Sequence, residues 1–443
     1  MNALLKSLIP PIVFLLSFAG CGGKQQSTIT SPSQVKTISY WRLKSDPDPV
    51  YDQIINLGIK DITVKYHVFE DEKEYETTLL KALSEGTGPD IFSIANDQLE
   101  KYRGKITPAP SNLLDTSILE PMLPTQFAVE LLSEHKLYGV PFEIEPLMLI
   151  TNKSLFPEEL LDVEIPLSWK GVRELAVKLT VIKNGKMQIS GLALGTGKEI
   201  QRSAQILQLL MMQNNTQMVT PDKTQAGFHL FLTKENGEVE YPGVWALKYY
   251  TDFANPKSDH YTYDPALGDD VKAFSENKAA MIINYPSVLN FLSKVMTNVD
   301  RIKIYPMPNL WEIDFPTKEE AGKITQPKDM TRYRIEVVNK NSPNTKFAWE
   351  FLLEVFKQAG GFGAIAKNPT EQEDYLERKP IHFSTSFYKG AYPEETDKIF
   401  VEMADDVIRN NLPPQEAILK AADKFNILLK KTEELNKMRE TNR

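Results

Sequence analysis

Apolar positions recur along the chain with two different periods, and the switches between them lay out its elements. Residues 35–41 and 62–69 alternate apolar and polar in the manner of half-buried strands, and Gly88-Pro89-Asp90-Ile91-Phe92 reads as a turn into another strand ending near Ala95-Asn96-Asp97. Spacings of three and four predict helices between them. Val50, Ile54, Ile55 and Leu57 share one side of 49–57, with Gly58 as the stop. Tyr75, Leu79, Ala82 and Leu83 share another, behind a capping start at Asp71 and Glu74 and ahead of Gly86. Further helical periods run over 119–132, over 168–179 behind a Ser168 cap, and over 201–212, 243–253, 347–356 and 413–429.

One stretch obeys neither period. Residues 137–153 hold two strand-like runs, 137–142 and 147–150, separated by Glu143 and Glu145 and by Pro141 and Pro146. Proline cannot donate to a central ladder and favours extended backbone in the residue before it. The stretch therefore reads as a stiff passage by which the chain leaves one sheet and enters another, a connection that suits two hinged lobes. If it is extended, Glu143 and Glu145 fall on one face.

Length and charge narrow the class. A chain of 443 residues exceeds one ordinary core, and two lobes fit it. A formal charge of -8 argues against condensation on phosphate backbones, so nucleic acid is not an expected partner. The five histidines are scattered without metal spacing, and no phosphate loop, nucleophile elbow or HExxH pattern occurs, so no catalytic residue, metal or cofactor is expected. Glu143 and Glu145, two apart on one strand, cannot flank a glycosidic bond from opposite faces.

Cysteine occurs once, at Cys21, after a short segment with Lys6, an apolar run over 8–20 and the small residues Ala19-Gly20. That is a positive region, a core too short to span a bilayer, and a cleavage point. A polar stretch, 22–34, follows as a spacer.

Several phrases resemble the bacterial extracytoplasmic solute-binding proteins of ABC importers, in their sugar- and maltodextrin-binding branch. They are Tyr138-Gly139-Val140-Pro141 with the acidic passage leading to Asn152-Lys153, Ser84-Glu85-Gly86 leading to Gly88-Pro89-Asp90-Ile91-Phe92, and Asn277-Lys278-Ala279-Ala280-Met281-Ile282-Ile283-Asn284-Tyr285-Pro286. The segment ending at Cys21 is similar to a lipoprotein signal, with Phe18 where an aliphatic residue is usual. The resemblance implies an α/β, two-lobed periplasmic-binding-protein-like fold of type II, each lobe a sheet flanked by helices, joined by three crossovers. The expected layout is a signal peptide over 1–20, a tether over 21–34, a first lobe of 35–142 and 302–340, and a second of 143–301 and 341–443. Strands near 302–308 and 335–338 are expected to make the second and third crossings.

The resemblance also implies a carbohydrate, an oligosaccharide, held between the lobes and delivered to permease subunits by a monomer lipid-anchored at Cys21 outside the cytoplasm. A non-transport surface lipoprotein that binds a glycan for sensing or attachment is the alternative. Candidate contacts are Trp41 at a strand end, Asn96 and Asp97 at another, Glu143 and Glu145 on the passage, Tyr285, and Trp311 in an insertion-like loop. Amides and carboxylates suit hydroxyl rims, and aromatics suit ring faces. Trp41 also reads as core, Asp97 as a helix cap, and the two glutamates as solvated hinge residues.

Overall fold

The computed structural model describes residues 36–44, 62–163, 165–166, 168–310, 328–364 and 384–441. Cys21, Trp311 and the helix expected over 49–57 lie outside them. In chain order the principal elements are β1 (Lys36–Leu43), β2 (Ile62–Phe69), α1 (Glu72–Glu85), β3 (Ile91–Ala95), β4 (Ile106–Thr107), α2 (Thr125–Leu131), β5 (Val140–Pro146) and β6 (Met148–Asn152). There follow α3 (Trp169–Leu179), α4 (Ser203–Gln213), α5 (Pro242–Asp252), β7 (Met281–Asn284), α6 (Val288–Val295), β8 (Ile302–Pro306) and β9 (Thr331–Asn339). The chain closes with α7 (Thr345–Gln358), α8 (Pro393–Ile408) and α9 (Pro414–Thr441).

Two apolar cores organise these elements, and each has its own sheet. The first sheet runs β2-β1-β3-β9-β4, with β1 parallel to β2 and β3. β9 lies antiparallel to β3 on one edge and to β5 and β4 on the other. The second is the antiparallel trio β7-β6-β8. α1, α2 and α7 cover the first sheet, and α3, α4, α5, α8 and α9 pack into the second core. Local signals account for the ends of α1: Asp71 accepts from the Glu74 amide, and Gly86 closes the helix in the left-handed region at φ 74°. Ser168 likewise caps α3 through the Gly171 amide, and Trp169 is core, its indole donating to Gln213 Oε1.

The passage between the sheets is short. β5 ends at Pro146 and β6 begins at Met148, and between them the Leu147 amide donates to the Met330 carbonyl at 2.8 Å. Gly139, just before β5, lies against β9: a Cβ there would meet Ile335 Cγ2 at 2.2 Å and the Glu336 carbonyl at 2.8 Å. Only glycine lets the two backbones come this close.

Two expected boundaries shift. Residues 302–306 do not cross to the first lobe; β8 pairs with β6 from Ile302 opposite Asn152 to Pro306 opposite Met148, and Ile302 packs in the second core. The return passage therefore comes between Pro306 and Thr331. α7, placed by the sequence in the second lobe, belongs to the first, where Phe356 meets Phe142 of β5 edge-on at 5.6 Å and Trp349 is fully buried. The third crossing follows α7, so β9 does not make it. Among the described residues no helix is long and apolar enough to cross a membrane.

Candidate functional site

Charged side chains converge where the two cores meet. Glu145, on β5, stands opposite Arg332 of β9 in the strand register. Its Oε2 accepts from Arg332 Nη2 at 2.7 Å and Nε at 2.9 Å, while its Oε1 accepts from the Ser287 amide at 2.7 Å. Arg332 Nη2 also donates to Ser287 Oγ at 2.6 Å. One carboxylate thus joins the passage, the first sheet and the entry to α6 of the second lobe, each through a charge-assisted hydrogen bond.

Tyr285, at the end of β7, sits beneath that hub. The residue is 3% exposed, with the Arg332 guanidinium 4.1 Å and the Arg202 guanidinium 5.2 Å from its ring centroid. Burial pushes its hydroxyl up to about 12, against the opposing charges of Arg332 and Arg202. So little of the ring is free that the surface it lends to the junction is guanidinium rather than aromatic face.

Asp97 lies in the turn, Asn96–Gln98, that follows β3. Its Oδ2 accepts at 2.9 Å from Nζ of Lys389, which also donates to Asp397 Oδ1 at 2.7 Å; Lys389 lies in the segment leading into α8 of the other lobe and Asp397 within α8. Burial alone would lower the Lys389 ammonium, but the Asp397 and Asp97 charges outweigh it and hold it well above its ordinary value. Gln205 and Gln208 of α4 donate to the two oxygens of Asp397. Asn96 is held differently. Its Nδ2 donates to Glu130 Oε2 at 3.0 Å, its Oδ1 accepts from the Tyr333 amide, and the Tyr333 hydroxyl donates to the same Glu130 oxygen at 2.6 Å. Burial pushes the Glu130 carboxyl up to about 7, against the hydrogen bonds from Tyr333 and Asn96 that favour its charged form.

Asn96, Asp97, Glu145 and Tyr285 are therefore gathered at one junction. Glu143 is not among them, and the expectation that it shares a face with Glu145 fails for a local reason. The register of β5 on β9 shifts between Arg332 and Arg334, a bulge in which Glu143 takes φ 53°, so the segment is not uniformly extended. Its Oε1 instead accepts at 2.8 Å from Nη2 of Arg42, a fully buried arginine whose Nε lies 3.1 Å from Glu336 Oε1. Glu143 helps to compensate a buried cation. Trp41 packs against Phe69 and His67, with centroids at 5.5 and 5.8 Å, on the side of the sheet that carries Tyr75.

The cations went unseen in the sequence. Arg332 and Arg334 alternate with Tyr333 and Ile335 along β9, a charged period in a strand that proves to be flanked on both edges, and that alternation was the available signal. Arg202, Lys389 and Asp397 lie at helix starts and in a loop, where nothing in the pattern sets them apart.

The sequence profile of the bacterial extracellular solute-binding proteins matches residues 58–359, more than half of the chain. The chain belongs to that family. Among relatives, this extracellular solute-binding protein is 29% identical over 154 residues to the galactooligosaccharide-binding protein of Bacillus subtilis (strain 168). That stretch makes up 32% of this chain and only 34% of the relative. Among solved structures, the sugar-binding protein MalE of Xanthomonas citri is similar with a TM-score of 0.68 at 13% identity, covering 91% of this chain and 99% of its own. An ABC substrate-binding protein of Listeria monocytogenes in complex with cycloalternan gives 0.64 at 16% identity, covering 88% and 98%. The family's fold is thus that of two-lobed binding proteins, and its place is outside the cytoplasm. Among the described residues of this solute-binding protein, no group of His, Cys, Asp and Glu side chains is arranged to hold a metal.

Proposed function

We propose that the chain captures a carbohydrate, an oligosaccharide, between its two lobes and delivers it to the membrane subunits of an ABC importer. The observation that carries this reading is the junction itself. Asp97 from the first lobe, next to Asn96, meets Lys389 from the second, which also pairs with Asp397, beside the Glu145–Arg332 pair and Tyr285. Such a ring of amides, carboxylates and cations offers paired donors and acceptors to a hydroxyl-rich solute. The galactooligosaccharide and cycloalternan named for two of the similar proteins favour the same ligand class.

In this reading Asp97 and Asn96 accept from and donate to solute hydroxyls. Glu145 holds Arg332 and the start of α6 in place for the same solute. Trp41 and Glu143 are left out of the contact set. The chain works by binding and not by catalysis, as a monomer held at the membrane through a lipid on Cys21, with the 22–34 stretch as tether. Binding completes contacts from both lobes, so the solute favours the arrangement in which they meet.

Thermal-shift screening of the purified chain against sugars, polyols, peptides and phosphate tests the assignment. Oligosaccharides are expected to raise the melting temperature. A rise with peptides or amino acids alone would overturn it.

A further inference from the structure

The charges around Tyr285 balance in number but not in place. Lys389 takes two carboxylates, Asp97 and Asp397, and Arg332 takes Glu145. Arg202, the third cation, is left without one. Its Nε donates to Asn284 Oδ1 at 3.1 Å, and among the described residues its Nη1 and Nη2 have no hydrogen-bond partner and it has no ion pair. The residue is half-buried, and its guanidinium shares the Tyr285 ring with Arg332, a like charge.

The two largest influences on Arg202 call for an anion, and the charges of Asp270 and Glu145 offset them only in part. Burial, and after it the charge of Arg332, press its guanidinium below its ordinary value, which marks a cation short of compensation. The acid whose charge acts on it most, Asp270, is fully buried with Oδ1 occupied by the Gln201 amide, and burial pushes that carboxyl up to about 7. A solute that fills the junction would desolvate Arg202 further, and an unpaired desolvated charge is costly. Neutral hydroxyls would accept hydrogen bonds from it but bring no opposing charge, whereas a carboxylate pairs with the planar fork of a guanidinium and neutralises it. A dianionic phosphate would overcompensate, set as it is among Asp97, Asp397 and Glu145.

We infer that the solute is an acidic oligosaccharide, one bearing a uronic acid residue, whose carboxylate is taken by the terminal nitrogens of Arg202 beside Tyr285. This rests on the carbohydrate reading above and names the sugar class within it.

Isothermal titration calorimetry on the purified chain, with matched neutral and acidic trisaccharides, is the test. The pairs are galactotriose against trigalacturonate, and xylotriose against glucuronic-acid-substituted xylotriose. The acidic member of at least one pair is expected to bind about tenfold tighter or more, the scale of one charge-assisted bond. Arg202→Gln should abolish that preference, and Arg202→Lys should keep part of it. Neutral members binding as tightly as acidic ones, or more tightly, would overturn the inference and leave the carbohydrate reading standing. If none of the four sugars bound while inorganic phosphate or a peptide did, both would fall.

Discussion

Glu143 and Glu145 stand two apart on one strand and do different work. Glu145 spends both oxygens on the junction, whereas Glu143 is turned by a bulge onto Arg42. Two substitutions separate these roles. Glu145→Ala should weaken binding of the best oligosaccharide by about 1–3 kcal/mol in calorimetry, the range for a charged hydrogen bond. Glu143→Ala should leave that affinity nearly unchanged and lower unfolding stability by about 1–3 kcal/mol, since Arg42 loses a partner but keeps Glu336. The reverse pattern in denaturant and binding curves would exchange the assignments. Glu130 adds a pH signature. Its folded carboxyl titrates at about 7 against an ordinary 4.5, so between those values the folded chain holds a proton that the unfolded chain has lost. Its contribution therefore makes stability fall as pH rises from about 4.5 to about 7 and leaves it level outside that window. Glu130→Gln should flatten that part of the profile measured by chemical denaturation. Glu130 and Asp397 were not visible in the sequence, whereas Asp97, Glu143 and Glu145 were, because a strand end and a proline-bounded passage drew attention to them. Their basic partners come from distant segments, and no local pattern ties Lys389 to Asp97.

Among elements, those built on local chemistry were legible, and those whose place depends on a distant partner were not. The start and stop of α1 and the cap of α3 follow from Asp71, Gly86 and Ser168. The strand at 302–306 was also visible as a strand, but its sheet was not, because apolar alternation does not say which edge will accept it. α7 shows the same limit: Trp349, Phe351, Leu352 and Phe356 announce a buried helix without naming the core that buries it. Gly139 shows the opposite case, a residue whose reason appears only in three dimensions. A methyl there would meet Ile335 and the Glu336 carbonyl well inside van der Waals distance, so Gly139→Ala must push β9 away or distort β5. The expected cost is about 1–3 kcal/mol, the usual range for overpacking, read as a lower melting temperature. An unchanged melting temperature would mean that the two strands can separate freely at this point.

At the scale of the whole molecule, two cores meet through polar contacts and through backbone passages. Lys389 reaches Asp97, Lys101 reaches Glu394, and Arg439 of α9 reaches Glu100. Ion pairs of this kind, partly open to water, are individually weak and screened by salt, so they join the lobes without welding them. A molecule so built can exchange lobe–lobe pairs for lobe–solute pairs at little net cost, which is what capture between lobes requires. The two-lobed plan was legible from 137–153 because prolines and acids interrupt the apolar runs there. The layout of the later passages was not, since they turn on where β8 and α7 find their partners.

The most direct test of capture between lobes is a pulsed electron–electron spin resonance distance between labels on the two lobes. With Cys21→Ser removing the native thiol, labels at Glu85→Cys and Lys257→Cys report on the first and second lobes respectively. The oligosaccharide that gives the largest thermal shift should move and narrow the distance distribution, and should fail to do so when Asp97→Ala and Glu145→Ala are combined. A distribution that stays the same at saturating oligosaccharide would contradict the account.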